Sequence, residues 1–283
     1  MMKEASFYEK QSGGAVLCRL CPHGCRIRTG GAGLCGARQN RDEILIAGSY
    51  GCITSLNLDP VEKKPLRRFY PGSMILSAGS YGCNMKCAYC QNHEISQAKP
   101  RTEYIAPDGL LKRAKSAKNN LGIALTYNEP LIGIEYILDC APLFREAGLK
   151  VVLVTNGLIN PEPLKALLPH VDAMNIDVKA FSTEAYQKLG GNLAAVKQTV
   201  EASAAVCHVE VTALIVPSQN DSTEDMRALG QWISAVSPEI PLHISRFFPR
   251  YQMTAGKPTP IDTIRKLAEA AREYLQYVYL GNM

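Results

Sequence analysis

The sequence predicts an α/β protein: a partial (β/α)6 barrel of the TIM-like kind, preceded by a small Cys-rich module. Three observations carry this prediction. Beyond about residue 70, six short β-branched runs alternate with six amphipathic stretches; cysteines gather in two spaced groups; and polar residues collect where the runs end. At 283 residues the chain has length for one large domain and a small module.

The first element is a segment in which Cys18, Cys21, Cys25 and Cys35 follow the spacing C-x2-C-x3-C-x9-C among Pro22, Gly24, Gly30, Gly31, Gly33 and Gly36. So much Gly and Pro builds little core. Four thiolates form a closed set for zinc or a second iron-sulfur cluster, whose binding would supply folding energy that the loop lacks. His23 offers a substitute ligand. The bland alternative is a ligand-free loop with incidental thiols. A β-type run at 44–47 and Cys52 come next, then the basic stretch Glu-Lys-Lys-Pro-Leu-Arg-Arg at 62–68, which reads equally as a solvated linker or as a face for an anionic partner. The sequence thus divides into 1–70, a metal-binding module with its linker, and 71–283, the barrel.

Strands are predicted at 75–78, 122–126, 151–155, 173–178, 209–216 and 242–246, with helices at 106–118, 133–147, 161–168, 193–206, 223–236 and 261–275. Repeated βαβ units imply a parallel sheet with right-handed crossovers. Six units are too few for a closed eight-stranded barrel. Chemistry in such barrels sits at the C-terminal strand ends. There the chain carries Thr126 to Pro130, Thr155-Asn156-Gly157, Asn175 with Asp177 and Lys179, and His243 with Arg246. Singly, each has an ordinary structural reading as a cap, a turn or an ion pair.

Composition sets the outer limits. With 46% hydrophobic and 20% charged residues the chain reads as an ordinary globular protein, and 31 Lys plus Arg against 26 Asp plus Glu is too weak an excess to point to nucleic acid. No stretch suits a signal peptide or a membrane span, so a cytoplasmic location and reduced thiols are expected.

Cys83, Cys87 and Cys90 form C-x3-C-x2-C, three thiolates with no fourth partner close by. Structural metal sites close their coordination shell, whereas a site that transforms a substrate leaves a position open. A zinc knuckle or three unrelated buried thiols is the plain alternative.

This spacing, with Tyr89 before the last Cys, resembles the radical S-adenosylmethionine superfamily. The resemblance implies a [4Fe-4S] cluster on Cys83, Cys87 and Cys90, and S-adenosylmethionine on its open iron. It also implies an aromatic at Tyr89 beside the adenine and an electron donor such as ferredoxin or flavodoxin. Asn128-Glu129-Pro130 is similar to the end of the Gly-Gly-Glu-Pro segment of glycyl-radical-enzyme activases, with Tyr127 and Asn128 in place of the glycines, and Asp177-Val178-Lys179 is similar to their Asp-x-Lys strand. Across nearly the whole chain, including residues 18–25, 62–73, 90–96, 208–212 and 245–249, the sequence resembles the radical enzymes of the AmmeMemoRadiSam system, homologues of pyruvate formate-lyase activating enzyme.

A site for S-adenosylmethionine needs acceptors for an amine, a donor for a carboxylate and partners for ribose hydroxyls. Asn128 and Glu129 are assigned to the amine and ribose, Asp177 and Lys179 to the amino-acid end, and His243 to the nucleoside. The expected activity is reductive cleavage of S-adenosylmethionine to a 5′-deoxyadenosyl radical that abstracts hydrogen from an undefined protein or small-molecule substrate. Two alternatives stand beside it: a glycyl radical enzyme activase, and a non-catalytic iron-sulfur or zinc protein. No ferredoxin-type cysteine set follows Cys90, which weighs against the activase.

Overall fold

A computed structural model describes residues 2–283. Its main sheet has eight strands in the order Val278–Gly281, Leu242–Arg246, His208–Ile215, Ala173–Asp177, Lys150–Thr155, Asn120–Leu125, Met74–Gly79 and Ser55–Pro60. The first seven pair parallel; Ser55–Pro60 pairs antiparallel, with Ser55 opposite Gly79 and Pro60 opposite Met74. Lys63 and Lys64, just past one edge strand, and Asn282, just past the other, line the same cavity, so the sheet is rolled into an open barrel.

All six predicted strands are present within two residues of the expected bounds, and a seventh parallel strand, Val278–Gly281, extends the sheet. Its Val278 and Tyr279 are good β-formers, but at four residues it is short and ends in Gly. Ser55–Pro60, which the sequence reading grouped with the module and linker, belongs to the barrel sheet. Leu56 and Leu58 alternate with Asn57 and Asp59, but Asn, Asp and the closing Pro60 are poor strand formers.

Helices cover the outer face of the sheet. Ile261–Arg272 buries Ile264, Leu267, Ala268 and Ala271, the i, i+3, i+4, i+7 stripe of a helix with one apolar face. Ser222 and Asn192 cap their helices by accepting from Asp225 N and Ala195 N.

The basic stretch at 62–68 is not a free linker, although Lys63, Arg67 and Arg68 stay exposed. Val61, Leu66 and Phe69 pack with Ile75, Ala124, Val152 and Ala173 as a small inner core that floors the barrel. Asn175 Nδ2 donates to Pro65 O at 2.8 Å, and the Arg67 and Arg68 amides donate to the Glu210 carboxylate. Their guanidiniums lie over Tyr279 and Tyr277.

The N-terminal residues build a three-stranded sheet of Tyr8–Lys10, Val16–Cys18 and Arg26–Ile27, and a hairpin of Arg38–Arg41 with Ile44–Ala47. This module docks on the helix Ile134–Glu146 through Arg38 and Glu135, whose side chains are 1% and 2% exposed and 2.8 Å apart. Arg38 also donates to Ser6 O and Ile132 O, so most of this buried charge is hydrogen-bonded. Among the described residues no helix is long and apolar enough to cross a membrane.

Candidate active site

The strand Met74–Gly79 delivers the chain to the C-terminal mouth of the barrel, where residues 80–92 form the cysteine loop. The backbone of this loop is pinned from several sides. Gly82 N donates to Ile95 O, Lys86 N to Leu189 O, and Gln252 N to Ala88 O, while the side chains of Asn84 and Gln97 donate to Leu158 O and Met85 O. Gly82 sits at φ +87, and a Cβ there would meet Cys35 O at 2.5 Å. A glycine is required at this turn for both reasons.

Cys83, Cys87, Cys90 and Tyr89 line one end of a cavity of about 330 Å³. Its remaining wall includes Glu129, Asn128, Asp177, Lys179, Thr212 and Ser245, drawn from four strand ends. The donor set fits an open cluster. Met85 N and Asn156 Nδ2 both point at Cys83 Sγ, at 3.4 and 3.6 Å, and such N–H donors suit a sulfur held as thiolate. Burial pushes the Cys83 and Cys87 thiols up, so without metal they stay protonated at neutral pH and ligation would displace their protons. Among the described residues no three ligand side chains stand close enough to grip an ion as they are.

Glu129 is 3% exposed. Burial pushes its carboxyl up to about 7, against the opposing pull of Asn156 N, Thr155 Oγ1 and Leu131 N. Oε1 accepts from Leu131 N and Thr155 Oγ1 and Oε2 accepts from Asn156 N, which leaves one lone pair on Oε2 for a further donor. Asn128 is nearly spent: Oδ1 accepts from Ser80 N, and Nδ2 donates to Gly82 O and Glu129 O. It braces the base of the cysteine loop.

Lys179 Nζ donates to Asp177 Oδ2 at 2.6 Å. Burial works against the ammonium, but Asp177 and the Cys87 sulfur hold its pKa well above the usual value. Tyr89 is 4% exposed and meets Phe247 edge-on, so its ring is a fixed wall.

His243 does not reach the cavity. It faces the barrel interior one layer lower, donating from Nε2 to Glu210 Oε2 at 2.6 Å and lying against Tyr279. Successive inward residues on a strand are two apart, so Ser245 on the same strand takes the place at the cavity wall assigned to His243. Arg246 likewise turns away, its Nε donating to Thr259 O.

The sequence reading missed Lys63, Lys64 and the role of Tyr127 at the cavity's far side. Tyr127 holds φ +72, the left-handed conformation that a glycine at that position adopts freely. Its hydroxyl donates to Asp59 Oδ2 at 2.7 Å, and the Lys64 ammonium lies 4.8 Å from its ring centroid. The four N-terminal cysteines come together at a separate small pocket, with His23, Arg38 and Asn84.

Comparison with known proteins agrees with this geometry. The description of the Radical SAM superfamily matches residues 78–230. The uncharacterized protein MJ0808 of Methanocaldococcus jannaschii is 40% identical over the whole of this chain and 86% of its own length. The pyruvate formate-lyase-activating enzyme of Clostridium pasteurianum is 26% identical over 55% of this chain and 67% of its own. Among solved structures, a radical SAM methyltransferase from Sphaerobacter thermophilus superposes with a TM-score of 0.56 at 14% identity, covering 75% of this chain and 67% of that one, a likeness of fold. Membership carries with it a [4Fe-4S] cluster and S-adenosylmethionine as the cofactors of such enzymes. With a family match over more than half its length and a full-length relative, the chain belongs to the radical SAM superfamily.

Proposed function

We propose that this enzyme cleaves S-adenosylmethionine reductively and that Cys83, Cys87 and Cys90 hold the cluster that does so. The observation that carries the reading is one cavity lined at one end by three cysteines and on its walls by Glu129, Asp177 and Lys179. When bound, the [4Fe-4S] cluster supplies the electron that splits S-adenosylmethionine into methionine and a 5′-deoxyadenosyl radical for hydrogen abstraction.

The protein's own groups bind and orient. The spare lone pair of Glu129 Oε2 accepts from the methionyl amine, and the Lys179 ammonium, steadied by Asp177, faces the carboxylate. Asn128 acts through the loop it braces. Tyr89 packs by the adenine, and Ser245 with Thr212 meets the nucleoside hydroxyls in place of His243. A protein reductant of the ferredoxin or flavodoxin kind supplies the electron. The Cys-rich N-terminal residues form a module distinct from a barrel that begins with the strand Ser55–Pro60.

Anaerobically reduced enzyme with S-adenosylmethionine should release 5′-deoxyadenosine, and Cys87→Ala should not. Release by that variant would overturn the reading. Activation of a glycyl radical enzyme is the second reading, favoured by the likeness to the Clostridium activating enzyme. It predicts transfer of the radical to a glycine of a partner protein, seen by electron paramagnetic resonance.

A further inference from the structure

Outside the cavity, Cys18, Cys21, Cys25 and Cys35 line one small pocket, although no three of them stand close enough to grip an ion without turning inward. Backbone geometry brings them together. Cys18 N donates to Cys25 O at 2.9 Å across the strands Val16–Cys18 and Arg26–Ile27, and Gly24 N donates to Cys21 O at 3.1 Å in the turn between them. A Cβ on Gly33 would meet Cys25 Sγ at 3.7 Å, so the turn leading to Cys35 closes over that sulfur.

Arg38 lines the same pocket and is 1% exposed. Its Nη atoms are used by Glu135, Ser6 O and Ile132 O, but its buried Nε–H has no acceptor among the described residues. An orphan buried donor is costly, and a metal-bound thiolate is the acceptor this pocket lacks. His23 Nε2 donates to Asn84 O at 2.7 Å, and four thiols complete a tetrahedral set without its Nδ1.

We infer that Cys18, Cys21, Cys25 and Cys35 bind one tetrahedral zinc-type ion, with Arg38 Nε–H donating to a ligating sulfur. The pocket that the four side chains share admits the centre of about one water-sized sphere, about 10 Å³, which matches a single ion held by inward-turned thiols. The site is closed, with no position for substrate. Its place gives it a task. Cys35 O abuts Gly82, and Asn84, which lines the four-cysteine pocket, both follows Cys83 in sequence and accepts from Asn156 at the cavity wall. The ion thereby fixes the base from which the cluster loop departs.

The test is metal counting in the full chain with Cys83, Cys87 and Cys90 replaced by Ala, which removes the cavity cysteines and so does not depend on S-adenosylmethionine cleavage. Purified anaerobically, this variant should hold about one zinc per chain. Zinc should fall at least tenfold when Cys21→Ala and Cys35→Ala are added. Cobalt bound in the otherwise unmodified triple variant should show tetrathiolate charge-transfer absorption, a readout that survives if the further substitutions unfold the module. About four irons per chain retained after iron and sulfide reconstitution would identify a cluster and overturn the single-ion site. So would metal-free protein in which these four thiols react freely in the folded state.

Discussion

His243 Nε2 stands 2.6 Å from Glu210 Oε2 inside the barrel, one layer below the cavity. Glu210 also accepts from His208 Nε2 and from the backbone amides of Arg67 and Arg68, at 2.9, 3.0 and 2.8 Å. One buried carboxylate thus ties the floor segment to two adjacent strands.

Burial opposes the charge of Glu210, yet these four donors together hold its carboxyl down to about 2, from an ordinary 4.5. A depressed value means stability that is present above 4.5 and lost as pH falls toward 2, roughly 3 kcal/mol in all. Glu210→Gln should lower unfolding free energy at pH 7 by about that amount, since it leaves donors facing an amide. Urea denaturation at pH 7 and pH 3 should show the gap between wild type and variant narrowing in acid. An equal gap at both pH values would refute the assignment.

Glu129 has the opposite sign. Its value of about 7 lies above the ordinary 4.5 because burial outweighs its donors. The stabilisation of its neutral form is complete below 4.5 and lost as pH rises through 7. Glu129→Gln should flatten this decline between pH 4.5 and about 7, the span of the shift. Under the proposed function the carboxylate form receives the amine, so kcat/KM should rise with an apparent pKa near 7. The same profile in Glu129→Gln would exclude it as the titrating group.

The difference between these two carboxylates shows what sequence could and could not reveal. The barrel strands read clearly, because buried parallel strands are apolar runs such as Val151-Val152-Leu153-Val154. The Cys83 spacing and the Asp177, Lys179 and Glu129 positions were legible too, since each falls at a strand end. Depth was not. His243 and Ser245 share a strand face, and only the cavity lining, which includes Ser245 and omits His243, shows which one reaches it. Lys63 and Lys64 were hidden for another reason: they follow an antiparallel edge strand that runs away from the mouth, so they line the cavity from the floor end rather than from a strand's C-terminal end.

Tyr127 offers a test of backbone strain. A non-glycine residue at φ +72 costs about 1 kcal/mol, offset here by the hydroxyl bond to Asp59 and the contact with Lys64. Tyr127→Phe, losing a hydrogen bond to a charged group, should destabilise by about 2 kcal/mol. Tyr127→Gly relieves the strain but forfeits the ring, and should be the less stable of the two. Denaturation curves decide, and a glycine variant matching wild type would show that the ring anchors nothing.

Gly82 joins the N-terminal module to the cysteine loop. At φ +87 an alanine would be strained, and its Cβ would also stand 2.5 Å from Cys35 O and 3.0 Å from Ile132 Cδ1. Gly72 supplies the control, since it has φ +82 but nothing within 4 Å of a Cβ. Gly72→Ala should therefore show the conformational cost alone, about 1 kcal/mol. Gly82→Ala adds a collision with a backbone carbonyl, which cannot rotate aside as a side chain can, and should lose at least about 2 kcal/mol. Displacement there moves Cys83, so iron retained per chain after anaerobic reconstitution should fall in Gly82→Ala and stay level in Gly72→Ala. If both variants lose stability equally and keep full iron, the contact between Cys35 and Gly82 does not hold the loop in place.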